Sequence, residues 1–194
     1  PYTEKLLDIL DRYNVKATFF VTNGKPDYQN LIAQEAQRGH TVAIHSASHD
    51  YAKIYQSVDA YFADFDEMNS IITAQTGKAA DLVRFPGGSS NTISKKYCYG
   101  IMSQLVCAVE ERGFRYCDWN VSSGDAGGTT STSQVVANVI AGIKGNNVSV
   151  VLQHDIKNFS VDAVEQIIQW GLSEGYTFLP MTSTTPMSHH GVNN

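Results

Sequence analysis

Thr41-Val42-Ala43-Ile44-His45-Ser46-Ala47-Ser48-His49 is the stretch on which the reading of this chain turns. A short, mostly apolar run ends on one histidine, and a second follows four positions later. The run reads as a buried strand, so His45 stands where that strand ends. Two imidazoles at this spacing can close on one metal ion. Neutral imidazole binds zinc at about 2.0–2.1 Å, and a catalytic zinc usually takes three protein ligands plus water. Taken alone, such a pair is more often two polar histidines on a surface turn. Three further strings also fall at the ends of predicted strands: Arg84-Phe85-Pro86-Gly87-Gly88, Trp119 to Asp125, and Val151-Leu152-Gln153-His154-Asp155. Four such strings in this order make metal-dependent hydrolysis the leading expectation.

Outward from that stretch, helix and strand alternate with short turns, which is the pattern of an α/β domain. Thr3 caps a first helix with Leu6, Leu7, Leu10 and Tyr13 on its apolar face, and Lys16 to Thr22 is a strand. Pro26 and Asp27 open a second helix that closes at Gly39, where glycine tolerates a left-handed end residue. His40 to His45 is the next strand. Ser57 caps a long helix carrying Val58, Tyr61, Phe62, Phe65, Met68, Ile71 and Ile72, closed by Gly77. Strands follow at Asp81 to Arg84, Phe114 to Val121, Asn147 to Leu152 and Tyr176 to Leu179. Helices lie near Met102 to Arg112, at Ser133 to Ile143, and from a Ser160 cap to Ser173. Right-handed crossovers between such strands give a parallel sheet. The polar and charged residues gather after the strands, which is the catalytic face of a (β/α) barrel and also of an open doubly wound sheet. Neither GxGxxG nor GxxxxGK[ST] occurs, so nucleotide binding has no support.

A chain of 194 residues suits one domain with a real core. The expected division is a domain over residues 1–181 and a frayed tail over 182–194. The net charge of −5 argues against nucleic acid. No apolar stretch is long enough to span a membrane. The opening Pro1-Tyr2-Thr3-Glu4 lacks the basic segment and apolar core of a signal peptide. Cys98, Cys107 and Cys117 give an odd count without CxxC, and buried free thiols are expected of them.

The strand-end residues divide by chemistry. Arg84 can pair a carboxylate through two parallel hydrogen bonds. Pro86 and the glycines after it let backbone approach a ligand, and the Gly87 N–H can donate to a developing oxyanion. A histidine at position 154 can serve as general acid, since imidazole ordinarily titrates near neutrality. Leu152 presents its side chain to the same side as His154. Trp119, Asp118 and Asp125 add aromatic surface and carboxylates, with Asp118 expected to be solvated.

Together these strings resemble the polysaccharide deacetylase family, carbohydrate esterase family 4, over nearly the whole chain. Lys16-Ala17-Thr18-Phe19-Phe20-Val21 is similar to the segment after the family's first motif. His45-Ser46-Ala47-Ser48-His49 resembles its H-[ST]-x-x-H metal motif, Arg84-Phe85-Pro86-Gly87-Gly88 its R-x-P-x-G groove wall, and Leu152-Gln153-His154 its L-x-H motif. The resemblance implies a distorted (β/α) barrel that hydrolyses N-acetyl groups of amino sugars. It implies Zn2+, or Co2+ or another divalent metal, on His45 and His49. It also implies oxyanion stabilisation by the Gly87 N–H, an apolar wall at Leu152, and His154 as the acid that protonates the leaving amine. Peptidoglycan N-acetylglucosamine is the first substrate implied, with chitin or acetyl-xylan as alternatives. A monomer at the cell wall or secreted is expected, with polysaccharide as its partner.

Two departures stand out. The family's first motif, a strand ending in two aspartates that supply the base and the third metal ligand, would precede Pro1, so the chain reads as part of a longer protein. In the fourth motif, Ser122 and Ala126 stand where an aspartate and a tryptophan are usual, while Asp125 keeps the second acidic position. Asp125 is therefore the candidate to orient His154. Competing readings are a carbohydrate-binding relic without catalysis, and a metal-dependent phosphoesterase. The phosphoesterase would want further carboxylates or basic phosphate clamps at the strand ends, and none is found there.

Overall fold

The computed structural model describes residues 2–194, which fall into two compact units. One comprises Thr18–Asp118 and Met181–Asn194; the other comprises the chain up to Ala17 and Trp119–Pro180.

The first unit is built on a parallel four-stranded sheet in the order β1 (Thr18–Thr22), β2 (Thr41–Ser46), β3 (Leu82–Val83), β4 (Arg115–Tyr116). Thr18 pairs with Thr41 and Val21 with Ile44, and the register slips between Val21 and Thr22. Ile44 pairs with Val83, which pairs in turn with Tyr116. Ala43, Ile44, Leu82 and Val83 are sealed from water, as expected of strands covered on both faces. The helices are α2 (Asn30–Gln37), the single turn α3 (Tyr51–Ile54), α4 (Val58–Thr76) and α5 (Ile101–Glu111). Ser57 caps α4 by accepting from the Ala60 N–H at 3.0 Å. Along α4, Tyr61, Asp64, Phe65, Met68 and Ile72 form the buried stripe, at the three- and four-residue spacing of one helix face. Phe65 meets Phe114 edge to face at 4.8 Å, and Tyr61 meets Phe85 at 5.5 Å.

The second unit packs α1 (Thr3–Arg12), α6 (Thr132–Lys144) and α7 (Asn158–Ser173) around the parallel pair β5 (Val121–Ser122) and β6 (Val151–Leu152). Val135, Val139 and Ile143 of α6 form one cluster with Ala163 and Ile167 of α7. Gly142 lets α6 lie close on β5, since a Cβ there would sit 2.5 Å from Val121 Cγ1. Among the described residues no helix is long and apolar enough to cross a membrane.

Several expectations need correction. The predicted strand over 114–121 is two short strands in two different sheets, β4 and β5. Residues 176–179 form no strand. Pro26–Tyr28 is a 3-10 turn set before α2 rather than its first turn. Thr3 lies inside α1, and its hydroxyl donates to Asp155 Oδ2 at 2.5 Å instead of capping. Ser160 likewise lies inside α7, and its hydroxyl donates to Asp125. Of the three thiols, all free, only Cys117 is buried; Cys98 is half-buried and Cys107 exposed. Residues 182–194 form no regular element, but they bond to other residues of their unit. Asp118 N–H donates to Ser188 O at 2.7 Å, His190 N–H donates to Asp118 Oδ2 at 2.9 Å, and the His189 ring stacks on Tyr116 at 3.9 Å. Asp118 is therefore fully buried rather than solvated, and it also accepts from the Ser89 N–H and hydroxyl.

Candidate functional site

In the first unit, β2 delivers His45 and the turn after it delivers His49. Their rings lie 5.0 Å apart between centroids, tilted at 51°. His45 Nδ1 lies 2.6 Å from the carbonyl oxygen of Arg84. A carbonyl only accepts, so Nδ1 carries the proton and Nε2 is the nitrogen left with a lone pair. That is the usual way a metal-ligating imidazole has its tautomer and orientation set. His49 takes a left-handed φ of 52°, a conformation that costs a non-glycine residue about 1 kcal/mol.

That turn is held by a residue the sequence reading missed. Asp64, on the buried stripe of α4, accepts from Ser46 Oγ at 2.5 Å, Ala47 N–H at 2.8 Å and Ser48 N–H at 2.8 Å. Ser46 Oγ in turn accepts from His49 N–H at 2.8 Å. Every link between the two histidines is thus tied, directly or through Ser46, to one carboxylate. Burial alone would raise the Asp64 carboxyl, but the bonds from Ser46, Ser48 and Ala47 outweigh it and hold it below the usual carboxylate value. The signal was present in the sequence: Asp64 lies three residues after Tyr61 and four before Met68, an acid on the core stripe. Asp50, adjacent to His49, is engaged otherwise: its Oδ1 accepts from the Ala52 N–H at 2.9 Å and caps α3.

Arg84 directly follows β3 and is buried. Its guanidinium donates from Nε to Cys117 O at 2.9 Å and from Nη2 to Asp118 O at 2.8 Å, and it lies 4.1 Å over the Phe20 ring. Those two donors brace the ends of neighbouring strands through main-chain carbonyls, where a carboxylate partner was expected. The loop after Arg84 turns at Gly87, which is exposed with a φ of 79°, and the carbonyl of buried Pro86 accepts from Tyr55 Oη at 2.7 Å. Among the described residues the Gly87 N–H has no hydrogen-bond partner.

In the second unit, β6 carries half-buried Leu152 and leads to His154, and half-buried Trp119 precedes β5. Asp125, with 1% of its surface exposed, faces His154 twice: Oδ1 lies 2.8 Å from Nδ1, and Oδ2 accepts from the His154 N–H at 2.7 Å. Ser160 Oγ donates to the same Oδ2 at 2.6 Å, and Lys157 Nζ to the Asp125 main-chain carbonyl. Burial pushes the Asp125 carboxyl up, but the bonds from His154 and Ser160 prevail and bring it to about 2. Asp125 is therefore ionised, His154 Nδ1–H is its donor, and Nε2 is the nitrogen available for proton exchange. The chain just past His154 is fixed by the start of α1, where Tyr2 N–H donates to Asp155 O at 3.0 Å.

The two imidazoles, one with its tautomer set by a main-chain bond, fit two ligand positions of a zinc site. Among the described residues no group of three or more His, Cys, Asp or Glu side chains completes it.

Comparison with known proteins follows the same lines. The sequence profile described as polysaccharide deacetylase matches residues 1–99. A peptidoglycan-N-acetylglucosamine deacetylase of Bacillus cereus is 31% identical over 183 residues, which cover 91% of this chain and 63% of that protein. The chain thus spans less than two thirds of the length of that curated relative. The crystal structure of the catalytic domain of a peptidoglycan N-acetylglucosamine deacetylase from Eubacterium rectale matches with a TM-score of 0.99 at 70% identity, covering 100% of this chain and 89% of that one. A polysaccharide deacetylase structure from Bacillus cereus matches with a TM-score of 0.83 at 30% identity, covering 97% and 90%. The fold is that of these deacetylase domains, and the chain belongs to the polysaccharide deacetylase family.

Proposed function

We propose that this chain is the catalytic part of a metal-dependent hydrolase that removes N-acetyl groups from amino-sugar polysaccharide, with peptidoglycan N-acetylglucosamine as its first substrate. The observation that carries the reading is the His154–Asp125 pair: a buried, ionised carboxylate holds Nδ1–H and leaves Nε2 to move a proton. Amide hydrolysis needs such a group, because an unprotonated amine leaves poorly. The names of the Bacillus and Eubacterium relatives support the substrate class.

In this reading His45, through Nε2, and His49 hold a divalent cation, Zn2+ or Co2+. When bound, such a cation polarises a carbonyl and lowers the pKa of a water towards ~7. The Gly87 N–H donates to the acetyl oxygen as charge builds there. His154 Nε2 gives its proton to the departing amine nitrogen, and Asp125 holds the ring through Nδ1–H. Arg84 keeps the strand ends in register beneath the Gly87 turn, and Leu152 and Trp119 offer apolar surface to the sugar. Action on wall polymer places the protein at the cell wall or outside the cell, working as a monomer.

The test is acetate release by the full-length protein, supplied with zinc or cobalt, from peptidoglycan, chitin oligomers and acetylated xylan. Release from peptidoglycan is expected; release from none of the three would refute the reading. The competing reading is a carbohydrate-binding relic. A relic would bind the polymer and liberate no acetate.

A further inference from the structure

The single turn α3 presents two tyrosines, four residues apart, to the Arg84–Gly88 loop. The role of Tyr55 is accounted for by its bond to Pro86 O. That of Tyr51 is not. Its half-buried ring stands edge-on to His49 at 5.6 Å and to Tyr55 at 5.6 Å, yet its hydroxyl makes no hydrogen bond among the described residues. That hydroxyl is not sealed from solvent, so its donor is open to a ligand.

Gly87 shows where that hydroxyl lies. A Cβ built there would stand 2.8 Å from Tyr51 Oη, 3.3 Å from Tyr51 Cε1 and 3.0 Å from Asn91 Cβ. The space a side chain at position 87 would fill is held by the Tyr51 hydroxyl. Two unpartnered donors, Tyr51 Oη–H and Gly87 N–H, therefore belong to adjoining groups, and the Tyr51 ring adjoins that of His49.

We propose that Tyr51 is a substrate-contacting residue, its hydroxyl giving the acetyl oxygen a second hydrogen bond beside that of the Gly87 N–H. This rests on the deacetylase reading above. As a water oxygen bonds to the carbonyl carbon and gives up a proton to a carboxylate base, the C=O π electrons move onto the acetyl oxygen; they return as the C–N bond breaks and the amine nitrogen takes the proton of His154. Tyr51 keeps its proton throughout. Its bond strengthens only while the oxygen bears charge, so it acts on kcat more than on KM.

The test is Tyr51→Phe in the full-length protein, with kcat and KM for acetate release from peptidoglycan measured beside cobalt affinity and Tm. Removing one oxyanion donor lowers kcat by about 10²-fold. That loss is expected, with KM within about threefold and cobalt affinity and Tm unchanged. A kcat within twofold of wild type overturns the Tyr51 role and leaves the deacetylase reading standing. A kcat loss matched by an equal loss of cobalt affinity or of Tm also overturns it, since Tyr51 would then only support His49. A wild-type protein that binds cobalt but releases no acetate from any of the three polymers overturns both.

Discussion

Two histidine regions of this molecule rest on the same device used in opposite ways. Behind the His45–His49 turn stands Asp64, and behind His154 stands Asp125; each is a buried carboxylate saturated with hydrogen bonds. Asp64 touches neither imidazole in any bond described above. It holds the main chain between them, and the tautomer of His45 is set by a neutral carbonyl, Arg84 O. Asp125 bonds the imidazole itself, at 2.8 Å. A ligand must offer a lone pair, and a neutral carbonyl partner secures the tautomer without adding negative charge. A proton donor needs its ring held with one nitrogen turned to the substrate, and an ionised carboxylate at Nδ1–H holds it so. On the proposed function, this difference in partner suits the two regions to different tasks.

The comparison breaks most readily at His154. His154→Ala in the full-length protein is expected to lower kcat by about 10²–10⁴-fold, the range for losing one general acid. Unchanged turnover would remove His154 from the reaction and dissolve the contrast.

A smaller effect sharpens the other side. Asp64→Ala strips the acceptor from Ser46, Ala47 and Ser48. Loss of such outer support weakens metal affinity by about 10–100-fold, so cobalt titration should show that decrease, with Asp64→Asn falling between. If Asp64→Ala lowered Tm and left cobalt affinity intact, the carboxylate would serve the fold and not the histidine pair.

The smallest expected effect is on acid stability. The Asp125 carboxyl falls from an ordinary 3.8 to about 2 in the folded protein, so folding favours its ionised form. That contribution is fully present above about pH 4 and fades as pH falls through 2. The Tm gap between wild type and Asp125→Asn should be full at pH 5 and shrink towards pH 2. A gap independent of pH would mean that the Asp125 charge carries none of it.

Much of this was legible in the sequence because it depends on short-range chemistry. The Ser57 cap, the strand that carries His45 and the stripe from Tyr61 to Ile72 all follow from spacing and capping, and the structure contains each, the strand running one residue further, to Ser46. What escaped depends on partners distant in the chain. Ser160 reads as a helix cap because its neighbours suit one; it is drawn instead to a carboxylate 35 residues earlier. Asp64 sat unremarked among apolar residues because its three partners lie 16 to 18 positions back. Tyr176 to Leu179 has strand composition but no strand to pair with. Composition placed the tail after residue 181 in solvent. Its bonds to Asp118 and Ser90 reach back 72 and 103 positions, and no local pattern announces them.

The most direct measurement of the central claim is cobalt titration of the full-length protein carrying His45→Ala, set beside His154→Ala and wild type. The account predicts that His45→Ala abolishes saturable cobalt binding while His154→Ala binds as wild type does. Undiminished binding by His45→Ala, or equal loss in both variants, would contradict it.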